Sequence, residues 1–307
     1  MRNTCLQTVH DLAKKDSRVI FIGSDLGPGV LKDFRREKPE QFFMEGVSEQ
    51  AIIGIAAGLA MEGFKPYVNT IATFITRRCF EQVALDLCLH DLPVKLIGNG
   101  GGLVYATLGP THLAIEDISI LRPLPNMTIV APCDSVEMKS FMKKAIDWPH
   151  PIYIRLARGG DKIITKEEEN FTIGKSVIKK EPGDALFITT GTMTQIALEA
   201  TKLLEKKNIS CGVMHMPTIK PLDYDALSFW IPKVKKVITV EENTLMGGFG
   251  SSILEFCSEN MQLHTPKISR IGLGDKFTEN YGNHDELLEK TGLTVKTLYE
   301  KMLNNFK

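Results

Sequence analysis

The sequence predicts an α/β protein with two domains, each built on a parallel sheet. Short apolar runs alternate with helical patterns along all 307 residues, and this alternation requires a parallel sheet that helices cover on both faces. The length suits two domains that each bury a core. A polar segment at 161–170, with three consecutive glutamates, interrupts the apolar pattern. We therefore predict domains at 1–162 and 175–307, joined by a linker at 163–174.

The first domain is predicted from apolar runs that precede helical patterns. The predicted strands are Val19–Gly23, 66–70, 94–97, 127–131 and Ile152–Leu156. One helix is expected to begin near Glu49 and end at Gly63, and a second spans 77–90, where apolar residues recur at helical spacing. Asp134 is expected to cap a third helix, with Glu137 completing a capping box.

The second domain repeats the same alternation on a smaller scale. Its predicted strands are 185–190, 212–216, 237–241 and 268–271, and its clearest helix is 193–206. The sequence contains no internal repeat and no low-complexity segment. We therefore predict a second, smaller α/β domain.

The composition excludes several classes of partner. Lys plus Arg and Asp plus Glu both number 37, and a net charge of zero argues against nucleic acid or an acidic membrane surface. The six cysteines show neither a Cys-x-x-Cys pair nor metal-ligand spacing, so we expect reduced, mostly buried thiols and no metal site. No apolar run reaches the ~18 residues of a membrane helix, and the first residues lack a signal peptide. We expect a soluble, cytoplasmic protein.

Glu49 is the most informative single residue. It begins an apolar helix whose side chains are mostly small, so that another backbone can approach closely; the small residues are Gly54, Ala56, Ala57, Gly58 and Ala60. Burial at such a contact raises a carboxyl pKa and lets the group share a proton with a ligand nitrogen. Taken alone, a glutamate in a first helical turn usually only complements the helix dipole.

Further motifs follow Glu49 in a fixed order. They are Ala-Thr-Phe-Ile-Thr-Arg-Arg-Cys-Phe-Glu-Gln at 72–82, Leu-Gly-Pro-Thr-His-Leu-Ala-Ile-Glu-Asp at 108–117, Arg-Leu-Ala-Arg-Gly-Gly at 155–160, Thr-Gly-Thr-Met at 190–193, Ile-Lys-Pro-Leu-Asp at 219–223, Val-Glu-Glu-Asn at 240–243 and Gly-Gly-Phe-Gly at 247–250. In this order and spacing, the first three resemble the pyrimidine-binding domain of the transketolase family, which includes 1-deoxyxylulose-5-phosphate synthase, and the others resemble its C-terminal domain. The resemblance extends over nearly the whole chain.

This resemblance implies thiamine diphosphate as the cofactor. It assigns to Glu49 the hydrogen bond to a ring nitrogen of the aminopyrimidine, and it assigns to Phe74 the aromatic contact on that ring. It places Asp25 and Leu26 beside the thiazolium ring. Alone, Phe74 is more often a core residue, and Asp25 and Leu26 fit equally well in an Asx turn at a strand end.

The resemblance also implies substrate contacts. His112 follows the rigid turn Gly-Pro-Thr at the end of a sheet, where α/β proteins bind ligands, and the family uses this histidine to bind substrate oxygens or to move protons. Arg158 and Arg2 match anion-binding arginines, a role that suits the guanidinium group, and Arg77 is placed among the substrate contacts.

The metal motif of the family is absent. Family members hold Mg²⁺ with Gly-Asp-Gly and a later Asn in a separate N-terminal domain, whereas this chain has only Gly-Asp-Lys at 274–276. We therefore expect an N-terminal diphosphate-binding partner subunit that supplies the Mg²⁺ ligands. The expected assembly is an α2β2 heterotetramer.

The leading hypothesis is a split transketolase that transfers a two-carbon ketol unit between a ketose and an aldose. One alternative is an enzyme similar to 1-deoxyxylulose-5-phosphate synthase with a 2-oxoacid donor. Another is a β-subunit of 2-oxoacid dehydrogenase E1, although those subunits lack the Gly-Pro-Thr-His run. A non-catalytic regulatory subunit is disfavoured by the joint presence of Glu49, Phe74 and His112.

Three positions depart from the family. Leu108 replaces an aspartate that binds a substrate hydroxyl, glycines at 100–102 replace a histidine or arginine, and Gly29 replaces a phosphate-binding serine. Because an unpaired hydroxyl against leucine costs about 1–3 kcal/mol, common pentose phosphates should fit poorly. The glycine run is expected to leave room for a bulkier group. We therefore predict a specialised substrate: a deoxy or modified sugar, a nucleotide-linked sugar or a 2-oxoacid.

Overall fold

Two sheets, with helices packed on them, make up the chain. The structure is a computed structural model that describes residues 1–23, 29, 31–157, 159–261, 266–279, 281–304 and 306. The strands are Val19–Gly23 (β1), Phe42–Met44 (β2), Lys65–Ile71 (β3), Lys95–Asn99 (β4), Thr128–Val130 (β5), Ile152–Leu156 (β6), Val177–Lys180 (β7), Ala185–Thr189 (β8), Cys211–His215 (β9), Thr218–Lys220 (β10), Lys236–Thr244 (β11) and Lys267–Leu273 (β12).

Helices connect most of these strands. They are Arg2–Ala13 (α1), Lys32–Glu37 (α2), Glu49–Met61 (α3), Phe80–Gln82 (α4), Asp117–Leu121 (α5), Ser135–Ala145 (α6), Met193–Glu205 (α7), Tyr224–Trp230 (α8), Phe249–Asn260 (α9), His284–Thr291 (α10) and Val295–Asn304 (α11). Short 3₁₀ turns lie at Pro39–Gln41, Ala106–Leu108 and Ile231–Lys233. No helix of the described part of the chain is long and apolar enough to cross a bilayer.

The two sheets confirm the predicted fold class. The first has the strand order β10-β5-β6-β4-β3-β1-β2, and the second has the order β12-β11-β8-β9-β7. The strands are parallel except β10 and β7, which pair antiparallel with β5 and β9. Neither of these short edge strands was predicted, because each has a weak apolar pattern. The predicted strands are present: β1 and β6 have the predicted bounds, and the ends of the others are shifted by up to three residues. The short strand β2 was not predicted.

The prediction of one regular helix over 77–90 is wrong. A π-helix at Phe74–Arg78, the single turn α4 and a second π-helix at Val83–Leu89 replace it. A π turn accommodates an additional residue and is frequent at functional sites. Here the first π-helix carries both Phe74 and Arg78.

The predicted capping box at α6 forms only in part. The Asp134 side chain accepts the amides of Val136 and Glu137, each at 2.9 Å. The Glu137 carboxylate instead accepts the amide of Cys133 at 2.7 Å and lies 2.9 Å from Nε2 of His215. The second domain therefore draws this carboxylate away from the cap.

The two domains share a core. Ile129 of the first domain belongs to the same buried cluster as Met216 and Ile219 of the second. The strand β10 follows β9 of the second sheet yet completes the first sheet. All six cysteines are buried and free, as predicted.

Candidate active site

The Glu49 side chain lies at the start of α3 and is only 5% exposed. Its buried position agrees with the sequence-based expectation. Its Oε2 accepts a hydrogen bond from Nη1 of Arg78 at 2.8 Å. This ion pair compensates the burial of the carboxylate, because an uncompensated charge is costly in a protein interior.

Three aromatic or cationic side chains gather beside this carboxylate. The guanidinium carbon of Arg78 lies 4.1 Å from the ring centroid of Phe74. The rings of Phe74 and His112 meet edge to face, with centroids 5.2 Å apart. The structure therefore brings Glu49, Phe74 and His112 together. Arg78 joins them through contacts that sequence reasoning missed, although its position four residues after Phe74 on one helical segment was a usable signal.

The predicted substrate residue Arg77 points to a different group. Its Nη1 pairs with Oε1 of Glu116 at 2.7 Å, and its Nη2 lies 3.4 Å from the carbonyl of Thr111. Burial raises the pKa of Glu116, and the charge of Arg77 opposes that effect. The Thr111 hydroxyl lies 2.9 Å from Nδ1 of His112. Arg77 thus supports the turn that carries His112.

Arg2 begins α1 and lies close enough to Tyr105 for its charge to act on the phenol. Burial raises the pKa of the Tyr105 phenol, and the Arg2 charge lowers it again in part. The Tyr105 ring lies against Gly100, where a Cβ would approach Cε2 of the tyrosine to 2.3 Å. Arg2 therefore lies near the glycine run through one intervening tyrosine.

The expectation that the glycine run leaves room for a bulkier group is wrong. A Cβ on Gly101 would lie 2.5 Å from Cγ of Arg155, and one on Gly102 would lie 2.5 Å from Oε1 of Glu242. Neighbouring side chains of this same protein fill the space that the missing side chains leave. By contrast, no atom of the described residues lies within 4 Å of such a Cβ on Gly29, and Leu108 is 47% exposed.

Three predicted site residues lie outside the described residues. They are Asp25, Leu26 and Arg158.

The residues present fit the aminopyrimidine of thiamine diphosphate. The buried Glu49 carboxylate and the Phe74 ring both contact the Arg78 guanidinium, and among the described residues Oγ1 of Thr73 and Oε2 of Glu116 are buried without a hydrogen-bond partner. Unsatisfied buried polar atoms are uncommon and often mark ligand positions. The polar and aromatic groups of the cluster therefore suit a flat heterocycle with hydrogen-bonding nitrogens.

The residues present do not fit Mg²⁺. Within the described ranges, one group of potential metal ligands exists, formed by Cys133, Glu137 and His215. It is buried between the domains, and Mg²⁺ prefers oxygen ligands. Burial also raises the pKa of the Cys133 thiol, which keeps it protonated.

Comparison with known proteins identifies the family. Residues 1–160 match the transketolase pyrimidine-binding domain, and residues 174–298 match the transketolase C-terminal domain. The chain belongs to the transketolase family. These matches confirm the family and the fold that the sequence motifs predicted for this transketolase-family subunit.

The relatives include subunits of similar length. The 6-deoxy-6-sulfo-D-fructose transketolase subunit SqwH of Clostridium sp. (strain MSTE9) is 34% identical over 299 residues, which cover 97% of this chain and 92% of that protein. An apulose-4-phosphate transketolase subunit of Phocaeicola vulgatus is 34% identical, with 95% and 93% covered. A solved structure described as a split gene transketolase, inactive beta4 tetramer, has a TM-score of 0.91 at 32% identity and covers 99% and 97%.

A second kind of relative is longer. The 1-deoxy-D-xylulose-5-phosphate synthase of Clostridium perfringens (strain SM101 / Type A) is 38% identical over 295 residues, which cover 95% of this chain and 47% of that protein. The chain therefore spans about half the length of that enzyme.

Proposed function

We propose that this chain is the pyrimidine-binding subunit of a two-chain transketolase, dependent on thiamine diphosphate. The observation that carries the proposal is the buried Glu49 carboxylate, which is linked through Arg78 to the Phe74 ring and through that ring to His112. The similar length of the SqwH and apulose-4-phosphate transketolase relatives supports a separate subunit. The reaction is transfer of a two-carbon ketol unit from a ketose to an aldose.

The site residues divide into two roles. When bound, thiamine diphosphate supplies the nucleophilic carbon that such transfers require. Glu49 would share a proton with a ring nitrogen of the pyrimidine, and Phe74 would pack on the ring. Asp25 and Leu26 would contact the cofactor farther along. Nη1 of Arg78 donates to Oε2 of Glu49 at 2.8 Å, and this ion pair would hold the carboxylate in place for the ring nitrogen.

His112 acts on the substrate, where it binds oxygens or moves protons. Its Nδ1 is engaged by the Thr111 hydroxyl, which leaves Nε2 for a substrate oxygen. Arg158 and Arg2 are the proposed anion-binding residues, and Arg77 is proposed as a further substrate-site residue. Arg77 acts from the base of the turn, because its guanidinium is held by Glu116.

A partner subunit completes the site. The residues described here lack an oxygen-ligand set for Mg²⁺, so the N-terminal diphosphate-binding subunit supplies the metal ligands and the diphosphate contacts. The proposed assembly is an α2β2 heterotetramer with its active sites between unlike chains. The isolated chain is then inactive.

The substrate is proposed to be a modified or deoxy sugar phosphate or its sulfonate analogue. Leu108 is half-exposed beside the His112 turn and offers no hydrogen bond to a substrate hydroxyl. Two of the relatives are named for unusual sugars, 6-deoxy-6-sulfo-D-fructose and apulose 4-phosphate. The glycine run adds no support, because its space is filled.

The alternative function is condensation of a decarboxylated 2-oxoacid with an aldehyde. The identity to 1-deoxy-D-xylulose-5-phosphate synthase over 95% of this chain favours it. A donor screen separates the two functions. A transketolase consumes ketose donors without releasing CO₂, whereas the alternative releases CO₂ from pyruvate.

In the deciding experiment, the chain is co-expressed with a candidate partner subunit that a neighbouring gene encodes and that carries Gly-Asp-Gly and a later Asn. We expect turnover of ketose donors by the complex and none by the purified chain alone. Turnover by the single chain would overturn the split-site proposal.

Substrate choice is tested with Leu108→Asp in the same complex. We expect the variant to have a higher kcat/KM for xylulose 5-phosphate with ribose 5-phosphate and a lower kcat/KM for modified sugars, because the carboxylate binds a hydroxyl that Leu108 cannot. The ratio of these two kcat/KM values should shift by about tenfold or more. A wild-type complex that already prefers common pentose phosphates would contradict the prediction.

A further inference from the structure

The segment that carries His112 is held at its base by the second domain. We define the His112 loop as residues 103–113. It is closed at its base by two backbone hydrogen bonds between Gly102 and Ala114, of 2.9 and 3.1 Å. Immediately beside this closure, the amide of Leu103 donates to Oε1 of Glu242 at 2.7 Å. Glu242 lies on β11, in the second sheet.

Several further bonds join the same base to the second domain. Nη2 of Arg155 donates to the carbonyls of both Ala114 and Glu242, at 3.2 and 2.8 Å. The amide of Thr244 donates to the carbonyl of Ile115 at 2.7 Å. Oε1 of Glu242 also lies 2.8 Å from Nε2 of His284. The carboxylate of Glu242 is only slightly exposed, so these bonds are shielded from water.

This contact occupies the position where an α/β domain ordinarily binds a ligand. In the second sheet, β8 is flanked by β9 and β11, so the strand order reverses at β8. The crevice at the carboxyl ends of strands beside such a reversal is the usual ligand position. Glu242 follows Val240, which pairs with Thr189 at the end of β8. The first domain's loop base is bound there instead.

The tip of the loop is also covered by the second domain. Gly109 has φ +75, and a Cβ on it would lie 2.3 Å from Cε1 of Tyr281. The Tyr281 ring therefore lies directly on the backbone of the turn that precedes His112. The tyrosine is nevertheless 65% exposed, so only part of it is packed, and the contact with Gly109 belongs to that part.

We propose that Tyr281 at the loop tip and Glu242 at the loop base are positioning residues for His112. The second domain binds the His112 loop at its base and at its tip, and it thereby fixes the imidazole of His112 against Phe74. The consequence for catalysis rests on the proposed function. A displacement of about 1 Å in a reacting group can lower a rate by about a hundredfold, so loosening the loop tip should lower kcat more than it raises KM.

The first test needs no activity. Hydrogen–deuterium exchange of the peptide covering 103–113 is compared in the wild-type chain, Tyr281→Ala, Tyr281→Phe and Tyr224→Ala. Tyr224 is a matched control, an exposed tyrosine of the same domain whose ring contacts Phe256 at a centroid distance of 5.0 Å. We expect faster exchange of this peptide in Tyr281→Ala only. Unchanged exchange in Tyr281→Ala would overturn the proposal.

The second test is a double-mutant cycle in the complex with the partner subunit. We expect Tyr281→Ala to lower kcat about tenfold, with the phenylalanine variant close to wild type, and to have no further effect in a His112→Ala background. An equal loss in both backgrounds would show that the ring acts directly on the substrate and would overturn a positioning role. A complex without ketol transfer would contradict the proposed function, while the exchange experiment would still test the loop.

Discussion

At the scale of single residues, the site is defined by a carboxylate and the cation that compensates it. Glu49 is buried, and Arg78 neutralises it while covering the Phe74 ring. The sequence identified Glu49 and Phe74 through the motifs around them. It did not identify Arg78, because the choice between Arg77 and Arg78 depends on the π-helix that rotates one of them toward Glu49.

Glu49→Gln tests the proposed proton-sharing role. The amide keeps the size of the side chain but cannot exchange a proton, so we expect the rate of the complex to fall by at least about 10²-fold with unchanged folding. Glu45→Gln, at an exposed glutamate just before α3, is the control and should retain activity. If Glu49→Gln keeps more than about a tenth of the wild-type rate, Glu49 is only a helix-end residue.

Lys95 provides a residue-scale prediction away from the site. This fully buried lysine donates to the carbonyl of Pro93 at 2.7 Å. Burial, with a smaller repulsion from Lys65, lowers the pKa of Lys95 from 10.5 to about 7. Between these two values the unfolded chain binds one more proton than the folded chain. The stability of the wild type therefore rises with pH across this window.

Lys95→Met removes that dependence. Relative to the variant, we expect the wild type to gain up to about 1.4 kcal/mol of unfolding free energy per pH unit above pH 7, measured by urea unfolding between pH 7 and about pH 9. Lys235→Met, at an exposed lysine paired with Asp184, is the control with little change. A stability difference that is constant over this range would show that Lys95 stays charged in the fold.

At the scale of elements, the solvent-facing side of α3 is unusual. Its exposed side chains carry no charge, and all but one of them are small or apolar; they are Gln50, Ala51, Gly54, Ile55, Gly58 and Met61. A Cβ on Gly58 would meet nothing within 4 Å. Glycine inside a helix costs stability relative to alanine, so this chain alone gives no packing reason for it. A partner backbone that approaches closely would give one.

Two substitutions at Gly58 should therefore have opposite effects. We expect Gly58→Ala to stabilise the isolated chain by about 0.5–1 kcal/mol. Gly58→Leu should lower the affinity for the partner about tenfold or more, because a bulky side chain separates the helices. Binding is measured by titration of labelled partner, with Lys202→Leu on α7 as a control for added apolar surface. Equal affinities of the two leucine variants would contradict an interface at α3.

The predictability of the elements follows the strength of their patterns. Strands such as β6 and β8 were predicted closely because they are buried on both faces and read as continuous apolar runs. The edge strands β7 and β10 were missed because a strand with one neighbour needs only a short, partly polar segment. The helix over 77–90 was predicted as regular because periodicity does not distinguish an α-helix from a π-helix with an additional residue per turn.

At the scale of the whole molecule, the two domains act as one body around the site. Glu137 of the first domain and His215 of the second are both buried and lie 2.9 Å apart. Burial raises the pKa of Glu137, but the His215 charge and hydrogen bonds outweigh that effect and lower it overall. Glu242 and Tyr281 could not be predicted as site neighbours, since they meet the His112 loop only after the domains have packed.

The strand β10 follows the second sheet's β9 in sequence but lies in the first sheet. This arrangement has a consequence for fragments of the protein. Residues 166–168 are exposed, whereas Phe171 is buried and meets the Phe141 ring edge to face, with centroids 5.2 Å apart. A protease that cuts at Lys166 therefore breaks the chain between β6 and β10, although both strands belong to the first sheet. We expect the nicked protein to migrate as a single species under native conditions and as two fragments after denaturation. Fragments that separated without denaturant would contradict this expectation.

Fragments that stay associated should also complement each other when they are produced separately. Either half, made alone, should expose an unpaired β-edge and aggregate, and both halves together should recover a soluble fold.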